Sequence, residues 1–373
     1  MVMQDGGTVD VRPGPDPRRA APEHSGAYLA TGLCLTLYAG VLGAWTVFGI
    51  TQGDGSTWDF VEGLFNPGAS PTTQILGPYE WAFTAAFLVI AVLMLAQRRV
   101  ARSAALLSGF VLLALSLREG VGLLHAAYRH QYTNDPLGSW ALATRGLGVV
   151  VALVVLFSMF PATERQQDAP PPAAGATGPE AQWRRLSRIC GVLFLVMALA
   201  ELGWAVRDMT ATGTDTGRYL RGVVDGSVLG ALDLAASAEF TTVGSVLVLL
   251  ILGVLALRGR REVRGALLVF AALELYMTVR TVVWLTVSDF FNRSFETTEG
   301  ALSMATTAYG LAAMTSVVVL ATGRGIGPYD GRRPEGSGRR RWDGRGGCEG
   351  RAGRRAACAV VCGARGLSSA RPS

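Results

Sequence analysis

Apolar residues in this chain run in unbroken blocks of about 20, instead of the 3.6-residue stripes that mark a helix covering a soluble core. Eight blocks stand out: Tyr28–Ile50, Trp81–Ala96, Ala104–Ala127, Trp140–Phe160, Leu186–Val206, Ala231–Leu257, Gly265–Val287 and Ala301–Thr322. A run of that length crosses a hydrocarbon layer about 30 Å thick. Backbone groups inside lipid need partners within their own segment, so each block is expected to be a helix.

The blocks fall into two sets of four. Residues 161–185 separate them and contain Ala169-Pro170-Pro171-Pro172-Ala173-Ala174, the composition of a linker. Arginines keep one register across this linker. Arg102 and Arg118 match Arg264 and Arg280 at an offset of 162 (264 − 102 and 280 − 118), and Arg98 and Arg99 match Arg260 and Arg261 at the same offset. Trp45 and Trp204 end the first block of each set. An even number of crossings returns the chain to its starting side, so two such units are expected to run parallel. The expected fold is therefore all-α: a polytopic integral membrane protein of about eight transmembrane helices in two parallel tandem four-helix repeats. The repeats span 28–160 and 186–322. They are flanked by a disordered arm over 1–27, rich in Pro, Gly and Arg, and an Arg/Gly-rich disordered tail over 323–373.

Composition agrees with this pattern. Half of the residues are hydrophobic and 17% are charged, against about a quarter in soluble domains. The net charge of +6 comes from arginines, with no lysine in the chain. They cluster in the arm, in the turns at Arg98–Arg102 and Arg258–Arg264, in the linker and in the tail, whereas Thr51–Glu80 carries Asp54, Asp59, Glu62 and Glu80 and no arginine. Under the positive-inside rule both termini are cytoplasmic and the protein sits in the cell membrane. The tail is expected to attract anionic inner-leaflet lipids. It lacks interleaved aromatic residues, so specific nucleic-acid binding is not expected. The mixed segments Trp58–Phe65 and Tyr219–Asp225 in the outer loops suit the interface, where Trp and Tyr collect.

Chemistry is sparse. Three histidines, five cysteines without a CxxC pair, and the absence of P-loop, GxSxG and HExxH patterns leave no expected cofactor, metal or catalytic residue. What remains is charge inside the apolar blocks, which is costly and faces a protein interior or a wet cavity. Counted from the nearest inner arginines at about 1.5 Å per residue, Glu274 lies about 15 Å deep, Glu201 about 20 Å, and Arg118 and Arg280 about 24 Å. Arg118, Arg280, Glu201 and Glu274 form the candidate substrate-binding set. One reading pairs Glu201 and Glu274 with Arg280 as a ladder between the fifth and seventh spans, with Arg118 snorkelling outward or pairing with Glu119 or Glu239. The other makes the set an outward-facing cavity for a small anion. The expected function is transporter-like, for a small anionic solute. The alternatives are a non-catalytic membrane scaffold or accessory subunit, and an intramembrane enzyme using Glu274 and Glu201 on a lipid-linked substrate.

Overall fold

The computed structural model describes residues 19–52, 57–66, 76–162, 179–210, 215–228, 234 and 237–323. The tail, the proline run and most of the arm lie outside them. Twelve α-helices are found among the described residues: α1 (Ser25–Gln52), α2 (Thr57–Phe65), α3 (Pro78–Leu95), α4 (Ala101–Gly122), α5 (Ala126–Asn134), α6 (Gly138–Met159), α7 (Pro179–Thr210), α8 (Thr216–Val224), α9 (Ala238–Leu257), α10 (Arg264–Val287), α11 (Phe290–Arg293) and α12 (Thr298–Thr322). Eight of these are long and apolar enough to cross a membrane, one for each apolar block.

The boundaries follow capping chemistry more closely than apolar length. Pro78 opens α3, where its missing N–H costs nothing. Ser237 and Thr297 cap α9 and α12 by accepting from Phe240 N and Gly300 N. The sixth span accordingly starts at Ala238 and not at Ala231, and α7 begins at Pro179, within the stretch expected to be linker. The arm also orders earlier than expected. Ala20 N donates to Gln97 O at 2.8 Å, and Arg99 Nε donates to Arg19 O at 2.7 Å.

Packing repeats itself along the chain. Helix α1 lies against α3 and α7 against α9; α4 pairs with α6 and α10 with α12; α4 and α10 meet each other. Trp45 Nε1 donates to Thr144 Oγ1 at 2.8 Å, and Trp204 Nε1 to Thr306 Oγ1 at 3.3 Å. Arg102 Nε reaches Met159 O at 3.1 Å, and Arg264 Nε reaches Ala321 O at 2.8 Å. Gly32 lies where a Cβ would meet Leu95, and Gly191 where one would meet Leu257. The turns after α3 and α9 each place one residue at positive φ, Gln97 at 53° and Gly259 at 69°.

The exterior of these long helices is apolar. Leu33, Leu37, Phe157 and Val319 are all more than half exposed, and no more than 39% of any candidate span is buried within the protein. Apolar surface this extensive is left uncovered by the described residues.

Two of the four short helices described, α2 and α8, reach across the halves. Helix α2 precedes α3 in sequence but sits on α10: Tyr276 OH donates to Leu64 O at 2.6 Å and Arg280 Nη2 to Gly63 O at 3.4 Å. Helix α8 packs on α9, which follows it, and also receives α4: Arg118 Nε donates to Gly222 O at 3.3 Å and Nη2 to Asp225 O at 3.4 Å. Each arginine therefore meets the orphan carbonyls and negative dipole end of a short helix from the other half of the chain.

Candidate functional site

The four candidate residues separate into three places. Glu201 on α7 and Glu274 on α10 come together and interact electrostatically. Ser245 on α9 donates to Glu274 Oε1 at 2.5 Å and also lies within hydrogen-bonding reach of Glu201. Tyr79, from the start of α3, lies near enough to Glu274 to interact with it electrostatically. Glu274 is 6% exposed, and Glu201 Oε2 is buried without a hydrogen-bond donor. The fifth and seventh spans touch through long side chains and do not pack backbone to backbone: the Phe194 and Phe270 rings lie edge to face at 6.3 Å.

The expected ladder to Arg280 is not found. Among the described residues no carboxylate pairs with Arg280. Its Nη2 is spent on Gly63 O, its Nε is buried without an acceptor, and Tyr276 is its nearest electrostatic partner. Helix α2 is the physical reason, because its C-terminal carbonyls offer an acceptor at the arginine's own depth.

Of the outcomes expected for Arg118, pairing with Glu119 is found and snorkelling is not. It is 3% exposed, and its guanidinium lies 5.5 Å over the Phe240 ring and 3.6 Å from Glu119 Oε1. Arg145 of α6 reaches the same oxygen at 2.6 Å. The other oxygen, Oε2, accepts from Tyr128 OH at 2.9 Å, and Tyr128 OH lies 3.1 Å from Tyr132 OH. Gly226 leaves room for this carboxylate, since a Cβ there would stand 2.7 Å from Glu119 Oε2. Two guanidiniums and a tyrosine hydroxyl thus converge on one carboxylate, itself 5% exposed. Burial, followed by the hydrogen bond shared with Tyr132, raises the Tyr128 hydroxyl above its ordinary value, which keeps it protonated as the donor to Glu119.

At the rim of this network His125 Nδ1 lies 3.5 Å from Asp225 Oδ2. Burial disfavours the Asp225 charge, but hydrogen bonds from Ser227, with His125 and Arg221 nearby, outweigh it and hold the carboxyl below its ordinary value. Tyr79, Ser245, Tyr128 and Tyr132 were not singled out by the sequence. A hydroxyl residue in or near an apolar block carries no signal of its own, and only the partner helix reveals what it faces.

Comparison with protein-family models, curated proteins and solved structures finds no match for this chain. Any functional reading therefore rests on the geometry of these clusters.

Proposed function

We propose that the chain is an integral membrane protein of two parallel four-helix repeats that moves a small solute, with Glu201 and Glu274 carrying a proton. One observation carries this reading: two carboxylates from different helices share a buried hydroxyl-lined site with no cation in contact among the described residues. Two negative charges so placed repel each other strongly in a medium of low dielectric constant, and a proton bound to one carboxylate oxygen relieves that repulsion. A site that gains and loses one proton as the surrounding helices shift is the element that proton-linked transport requires.

The repeat reading is supported by the doubled contacts of Trp45 and Trp204, of Arg102 and Arg264, and of Gly32 and Gly191. Membrane insertion is supported by the eight long apolar helices with their exposed leucines and valines. The orientation we favour puts both termini and the arginine-rich turns on the cytoplasmic side of the cell membrane, where the tail meets anionic inner-leaflet lipids. In support, the turns gather at one end, with Arg102 Nη1 3.3 Å from Glu262 Oε2. A small anion remains the proposed solute class, from the arginines that the apolar blocks carry.

A scaffold role is the second reading. It is favoured by Arg118 and Arg280, both of which are used to anchor the short helices across the halves. Purified protein in liposomes loaded with a pH-sensitive dye separates the two. Transport predicts proton movement on addition of small carboxylates or inorganic anions, lost in Glu274→Gln and Glu201→Gln with the melting temperature retained. No proton movement with any anion, in protein that remains folded, refutes the transport reading and leaves the scaffold.

A further inference from the structure

We propose that the groove between α7 and α12, at the end remote from the arginine-rich turns, seats one phospholipid with a primary-amine headgroup. The proposal goes beyond solute transport but rests on the chain spanning a membrane. The groove encloses about 490 Å³ and is lined along its length by Leu199, Gly203, Trp204 and Leu302, with Arg207 and Glu299 at one end. A volume of this size is in the range of small-ligand sites. Leu199 and Leu302 are 63% and 57% exposed, so the apolar walls lack a covering from the protein itself.

The charged end selects among headgroups. The Arg207 guanidinium lies 5.3 Å over the Trp204 ring, 3.2 Å from Asp208 Oδ1, and in an ion pair with Glu299. Its side chain is still 47% exposed, so it retains room for another acceptor. One guanidinium between two carboxylates suits a zwitterion. The lipid phosphate accepts from Arg207, and an ammonium donates to Asp208 and Glu299. A purely anionic headgroup would face two carboxylates with only one cation to offset them. A quaternary amine has no N–H to donate. The acyl chain then lies along Gly203 and between Leu199 and Leu302, where water would otherwise meet apolar surface.

The other half of the chain provides an internal comparison. The offsets that match Trp45 with Trp204 and Arg102 with Arg264 put Phe48 at the position of Arg207, Leu137 at that of Glu299 and Trp140 at that of Leu302. The tryptophan–threonine bond is present in both halves, yet in the first half Phe48 packs edge to face on Trp45 at 6.0 Å and all three positions are apolar. The corresponding pair in the first half thus holds together without a charged end, and the charges of the second half are free to serve the headgroup.

The test uses the full chain, reconstituted into nanodiscs of equimolar phosphatidylethanolamine, phosphatidylcholine and phosphatidylglycerol and released for native mass spectrometry. The expected result is one retained phosphatidylethanolamine. Gly203→Leu adds its side chain to open space, fills the groove and lowers that adduct about tenfold at unchanged melting temperature. Arg207→Phe, the residue of the other half, removes the headgroup preference. Equal retention of all three lipids by the wild type, or an undiminished adduct in folded Gly203→Leu, overturns the proposal. Recovery of the chain as a monodisperse species without detergent overturns the membrane reading itself, a separate outcome from loss of headgroup preference.

Discussion

Neutralising Arg118 should cost the fold more than neutralising Arg280, although the two occupy matching positions in the sequence. Arg118→Gln removes a 97%-buried cation from Glu119 and breaks two bonds to the end of α8. Removing one member of a buried pair costs about 3–5 kcal/mol. Here Glu119 keeps Arg145 at 2.6 Å and Tyr128 at 2.9 Å, so the lower end applies, about 3 kcal/mol. Glu119→Gln is worse, at about 4–5 kcal/mol, since two guanidiniums then face each other without a counter-charge. Arg280→Gln loses a single 3.4 Å bond to Gly63 O and strands no carboxylate, for about 1 kcal/mol. Thermal melting in detergent gives the order, and a double-mutant cycle on Arg118 and Glu119 gives their coupling, expected at about 1–3 kcal/mol. Additive losses in that cycle, or an Arg280→Gln variant as damaged as Arg118→Gln, would falsify the assignment of the buried network to Glu119.

Gly265→Ala should loosen the contact between α4 and α10, because its Cβ would stand 1.9 Å from Val100 O; a melting-temperature loss equivalent to about 1–3 kcal/mol is expected, with Gly203→Ala, which points into open space, as the unaffected control. Asp225 titrates below its ordinary value in the folded chain, so its contribution to stability is complete above about pH 4 and is lost as pH falls through the lowered folded value. Melting followed from pH 7 to pH 3 should therefore decline less steeply in Asp225→Asn than in the wild type, and identical pH slopes would remove Asp225 from the account. Single cysteines at Gly55 and Thr214 in a background lacking the native cysteines should react with an impermeant thiol reagent in intact cells, while those at Ala173 and Gly336 should not. All four positions lie outside the described residues, and labelling of position 173 from outside would invert the proposed orientation.

The linear chain alone determined the eight long helices, because an apolar block of about 20 residues has one stable backbone solution away from water, whatever its neighbours. The sequence also carries the register that the proposed repeat rests on, Arg102 with Arg264 and Trp45 with Trp204, and these residues make like contacts: each tryptophan donates to a threonine hydroxyl and each arginine to a backbone carbonyl. Depth along a helix was legible as well, because the rise per residue is fixed, and Glu201 and Glu274 do meet. Partner identity was not legible. Depth says how far a charge lies along its own helix and nothing about which neighbour faces it. Arg280 and Glu201 were placed within reach of each other by depth, yet the carbonyls of α2 take the arginine, while a serine and a tyrosine from two further helices complete the carboxylate site. Helix α2 reads as a mixed interfacial segment until its crossing to the far half is known. Only the tertiary structure decided that crossing, since the end of a nine-residue helix must find donors for its carbonyls wherever the packed bundle offers them.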